Sequence, residues 1–106
     1  MEKSAQSPED CHGMADLRRA IDALDAELVS LLARRQRYIE RAAQIKGARA
    51  AVRDEARVEE VVARVLARAK EENLSPAIAE AVWRTLIEAS IVHEFAAFDA
   101  KIQAAR

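Results

Sequence analysis

Between Met14 and Lys46 the chain carries neither glycine nor proline, and its apolar residues recur at alternating intervals of three and four: Leu17, Ile21, Leu24, Leu28, Leu31, then Tyr38, Ala42 and Ile45 after a break at Arg35. That spacing draws one stripe along an α-helix for about four heptads. At about 1.5 Å of rise per residue the helix is near 50 Å long, too long for a 106-residue chain to cover with its own remaining helices. A second chain is the natural cover for that stripe. The whole sequence holds only two Gly and two Pro. Such scarcity of turn-formers excludes an all-β sandwich, a Rossmann unit and a Gly-rich phosphate loop.

Two further helices follow from punctuation. Gly47 marks a C-terminal cap, residues 47–53 read as a connecting loop, and a second helix begins near Asp54 with Val58, Val61, Val62, Val65, Leu66 and Ala69 on one face. It ends near Glu72-Asn73. Ser75-Pro76 supplies an N-cap and a first-turn proline for a third helix that carries Ile78, Val82, Trp83, Leu86, Ile87, Ile91, Phe95, Phe98 and Ile102 to the C-terminus. The expected fold is all-α, with three helices in the order long, short, long. Residues 1–13, with a Ser7-Pro8 start soon interrupted by Gly13, read as a frayed arm, and residues 14–106 as a single helical domain.

Seventeen Lys and Arg against eighteen Asp and Glu leave a net charge of −1, so no basic footprint argues for nucleic acid. No run of about 18 apolar residues spans a membrane, and the mixed-charge N-terminus lacks the apolar segment of a signal peptide, which gives a cytoplasmic expectation. One cysteine, Cys11, and two distant histidines, His12 and His93, offer neither a disulfide framework nor a spaced metal-ligand set. No metal and no cofactor are expected.

The informative charges are those on apolar stripes. Four residues beyond Leu31 the seam of the first helix lands on Arg35, and Lys46, eleven residues further, shares its face at roughly 16 Å, within joint reach of one small dianion. A rim arginine that snorkels, or one paired with a core acid, fits the same spacing. On the third helix Glu94 falls in line with Trp83, Ile87, Ser90 and Phe98. A carboxyl there either pairs with Arg35 or is favoured in its neutral form by loss of water. Cations and a carboxyl directed into a helical bundle describe either a pocket for a small anion or a buried structural salt-bridge network.

The order of the motifs resembles a known family. Leu17-Arg18-Arg19-Ala20-Ile21-Asp22-Ala23-Leu24-Asp25, Leu31-Leu32-Ala33-Arg34-Arg35 and Ile45-Lys46 resemble the first helix of the all-helical chorismate mutases. Val52-Arg53-Asp54-Glu55-Ala56-Arg57 is similar to the family's loop and second-helix start, and Leu86-Ile87-Glu88-Ala89-Ser90 to its last helix. The arm Ser7-Pro8-Glu9-Asp10-Cys11 with Gly13 resembles the isochorismate pyruvate lyases, a branch of the same fold. The resemblance implies an intertwined homodimer with two active sites built from both chains and a dicarboxylate substrate, chorismate. It implies that Arg18 from the partner, Arg35 and Arg57 bind the substrate carboxylates. Lys46 then donates to the ether oxygen, Ser90 assists a carboxylate, and the backbone at Asp54 meets the ring hydroxyl. Helix geometry agrees, because Arg18 stands about 25 Å from Arg35 along one helix and reaches the same small substrate only from another chain.

Two positions depart from the mutase pattern. Val58 stands where many mutases carry a glutamate for the ring hydroxyl, as in the lyase branch, and Glu94 stands where most bacterial members have glutamine. Ser90 and Asp54 are mutase-like. The readings are therefore chorismate mutase, with Lys46, Glu94 and Arg35 catalytic; isochorismate pyruvate lyase; and a non-catalytic helical interaction module whose inward charges pair with one another. His93, about 100° around the helix from Glu94, reads as a surface or dimer-edge residue. Trp83, Phe95 and Phe98 read as packing, and the Glu/Arg run from Arg64 to Glu72 as a solvated face.

Overall fold

The computed structural model describes residues 6–106, which are helical with no strand among them. Helix α1 spans Met14–Ile45, α2 Glu55–Glu71 and α3 Pro76–Ala104, with short 3-10 turns at Pro8–Asp10 and Arg49–Ala51. Lengths of 32, 17 and 29 residues give the expected long, short, long order. No helix of the described residues is long and apolar enough to cross a membrane. The chain forms two compact units, one up to Arg37 and one of Tyr38–Arg106.

In the first unit the arm is more ordered than a frayed segment. Residues 7–11 close a turn in which Ser7 Oγ donates to Asp10 Oδ2 at 2.7 Å and Cys11 N to Pro8 O at 3.2 Å; residues 1–5 of the expected arm lie outside the described residues. Helix α1 starts after Gly13, whose carbonyl accepts from Leu17 N. Its stripe is present but uncovered: Ile21, Leu24, Leu28 and Leu31 are 47%, 49%, 54% and 53% exposed.

The second unit holds the apolar core. Ala43 from the end of α1, Val52 from the connection, Val58 and Val62 from α2 and Ile87, Ile91 and Phe98 from α3 are buried together, with Trp83 and Phe95 packed against them. Burial of a large apolar side chain contributes at most about 1.5–3 kcal/mol. Three forked arginines fasten this unit at its surface: Arg49 to Asp99, Arg53 to Glu88 and Arg84 to Glu59. Their hydrogen bonds hold the three carboxyls below the usual carboxylate range. Water screens such exposed pairs, so they fix register more than stability. The run from Arg64 to Glu72 is solvated as expected, with Arg68 reaching Glu71 and Glu72.

Two expectations at the end of α1 need correction. The apolar line was expected to continue through Tyr38 and Ile45, which are largely exposed, and the buried residue is Ala43. A strict seven-residue repeat drifts by about 20° per heptad on an ideal helix, so after four heptads Ile45 has swung outward and Lys46 inward. Gly47 does not adopt a positive φ, so it is no left-handed cap. A lysine from α3 takes the carbonyls instead.

The left-handed residue is Asn73, with φ 58°, just past α2. Leu74 N donates to Ala69 O at 2.8 Å and Asn73 N to Lys70 O at 3.3 Å, a Schellman closure. A β-branched residue is strained there by about 1–2 kcal/mol. Asn73→Val should lower the thermal unfolding midpoint while Asn73→Gly preserves or raises it.

Candidate active site

Lys46 is the first residue beyond α1, and its amide still donates to Ala42 O at 2.9 Å. The helix therefore aims its side chain as though it were one residue longer. Its Nζ lies 2.7 Å from Glu94 Oε2 and 3.4 Å from Val52 O. Glu94 occupies the middle of α3, and the 3.6-residue period sets it on the face of Ile87, Ile91 and Phe98, where it is only 5% exposed. It is the buried charged residue of the described chain, as its position on the stripe implied.

The pair is unusual in its polar accounting. Oε2 faces the Lys46 ammonium but receives no well-directed hydrogen bond from it or from any other group. A buried carboxylate keeps its charge only with its cation in place, and removing one partner of such a pair costs about 3–5 kcal/mol. Two groups are thus held close, both able to carry a proton, in a setting of low dielectric. Sequence spacing did not single out Lys46 as the cation that the structure pairs with Glu94.

The remaining candidates divide between the two units. Arg18 is exposed and Arg35 half-buried, and both belong to the first unit. In the second, Asp54 is the N-cap of α2, its Oδ1 accepting from Arg57 N at 3.1 Å. The Arg57 guanidinium grips Glu60 on the exposed side of α2 and draws that carboxyl below its usual range. Val58 packs in the apolar core, where a charged side chain would be without water. Ser90 is half-buried one turn before Glu94. His93 points to a neighbouring face, with Nε2 2.7 Å from Glu40 Oε2, and is partly exposed as expected. No cluster of three or more metal-ligating side chains occurs among the described residues.

Sequence reasoning missed Lys101. Its Nζ donates to Ala43 O at 2.9 Å, to Gln44 O at 3.4 Å and to Lys46 O at 2.8 Å. The available signal was its place seven residues beyond Glu94, two turns on along the same face.

Residues 17–95 match the family described as chorismate mutase type II. The chain is also similar to the isochorismate pyruvate lyase of Pseudomonas aeruginosa, with 34% identity over 82 residues, covering 77% of this chain and 81% of that protein. The family span includes Arg18, Arg35, Lys46, Asp54, Arg57, Val58, Ser90 and Glu94, and stops short of Lys101.

Proposed function

The chain belongs to the type II chorismate mutases, and from that premise we propose that it is an enzyme converting chorismate to prephenate. The observation that carries the reading is buried Glu94 paired at 2.7 Å with the half-buried Lys46, on the α3 face that carries the core residues Ile87, Ile91 and Phe98. The rearrangement breaks a C–O bond as a C–C bond forms, within one molecule, with no nucleophile. Its demands are a compact conformer of a flexible dianion and stabilisation of the negative charge that grows on the ether oxygen.

Arginines meet the first demand, because a planar guanidinium grips a carboxylate by two hydrogen bonds. Arg35, Arg57 and Arg18 of a second chain take that role, with Ser90 assisting a carboxylate, the Asp54 backbone at the ring hydroxyl and Val58 beside the ring. Arg57 then exchanges Glu60 for substrate. The half-exposed stripe of α1 supports a homodimer in which residues 14–106 of each chain form one helical domain completed by the other.

Lys46 meets the second demand, and Glu94 joins it only when its carboxyl carries a proton. Glu94→Gln places a permanent amide donor at the same position and should therefore retain turnover, whereas Glu94→Ala, with no donor there, should lose most of it.

The similarity to a lyase and the valine at position 58 favour a second reading, in which the same pocket removes pyruvate from isochorismate. Assaying the purified protein with each substrate from pH 5 to 8 tests both. Prephenate as main product supports the mutase. Salicylate and pyruvate at higher kcat/KM assign the lyase. Turnover of neither substrate leaves a helical interaction module, in which Lys46 and Glu94 serve only each other.

A further inference from the structure

We propose that Lys101 is a positioning residue for Lys46, an inference that rests on Lys46 being the donor to the ether oxygen. The last carbonyls of a helix have no partner within it and form the negative end of its dipole. At the end of α1 one ammonium takes two of them, those of Ala43 and Gln44 at 2.9 and 3.4 Å, together with the carbonyl of Lys46, the next residue, at 2.8 Å. The Phe98 ring lies 4.3 Å from the same nitrogen and limits where it can go. This cap replaces the glycine cap that Gly47 does not provide.

The consequence falls on Lys46. Glu94, Phe98 and Lys101 stand at successive turns of α3, so a single face of that helix meets Lys46 at both ends. Glu94 faces its Nζ, and Lys101 holds its carbonyl. Lys46 is also the residue at which α1 stops, where helices fray. Its four-methylene side chain magnifies any wandering of its Cα, whereas a donor to a developing charge must be held to within about 0.5 Å. Lys101 sets the origin of that side chain. It lies beyond residues 17–95, so family membership assigns it nothing.

The test compares Lys101→Met, which keeps the stem against Phe98 and removes the ammonium, with Lys101→Arg, which keeps a cation able to cap carbonyls. Expected for Lys101→Met is a fall in kcat of about tenfold to a hundredfold, with little change in KM for chorismate. Lys101→Arg restores most of the loss. In a Lys46→Ala background Lys101→Met causes no further loss, because it acts through the missing side chain. Equal loss in both backgrounds, or an unchanged kcat in folded Lys101→Met, overturns the proposal. A readout without turnover separates it from the catalytic reading: the NMR resonance of the Lys46 amino group shifts and broadens in Lys101→Met. An unchanged resonance sinks the positioning role, while full kcat in Lys46→Ala sinks Lys46 as donor.

Discussion

Lys46→Ala should lower kcat for chorismate by about a thousandfold, the upper range for loss of one preorganised donor to a developing oxyanion. KM should change less, because the arginines hold the carboxylates in ground state and transition state alike. The variant also strands Glu94 in the apolar wall, where loss of the cation costs about 3–5 kcal/mol unless the carboxyl takes up a proton. Activity could then vanish through unfolding alone. The double variant Lys46→Met with Glu94→Met separates the two causes. Replacing a buried ion pair by apolar residues of similar volume is commonly neutral or stabilising by about 1–4 kcal/mol. The double variant should therefore keep its helical signal and its Tm while showing no turnover. Full activity in that folded variant would remove both residues from the chemistry.

The same contrast shows what a sequence reveals here. The starts of the helices were legible because each is set by a local device: Gly13 before α1, the Asp54 side chain accepting from Arg57 N, and Ser75 with Pro76 at the start of α3. The burial of Glu94 was legible because the 3.6-residue period leaves it no other face. The identity of its partner was not. Lys46 follows the end of α1, and the path of the connecting segment, with Val52 in the core and Arg49 and Arg53 forked onto Asp99 and Glu88, brings its ammonium to Glu94. Those forks join residues 50 and 35 positions apart, a separation at which spacing carries no signal. Lys101 escaped for the same reason: a lysine near a C-terminus reads as a solvated charge until the carbonyls it caps, 55 to 58 residues earlier, are brought beneath it.

A shared active site makes the largest qualitative prediction. If Arg18 serves the partner's substrate, then Arg18→Ala and Lys46→Ala homodimers are each inactive, for different chains' reasons. Refolding an equal mixture yields about half heterodimers by random pairing, and each contains one site lacking both residues and one lacking neither. About one quarter of the wild-type sites should return. Arg35→Ala mixed with Lys46→Ala is the internal control. Arg35 and Lys46 come from the same chain in this arrangement, so each heterodimer site still lacks one of them and no activity returns. Recovery in the first mixture and none in the second would place Arg18 across the dimer, with the half-exposed Ile21, Leu24, Leu28 and Leu31 as the surface that brings it there. No recovery in either, with heterodimers demonstrated by mass, would put Arg18 in the site of its own chain and leave that apolar stripe to some other association.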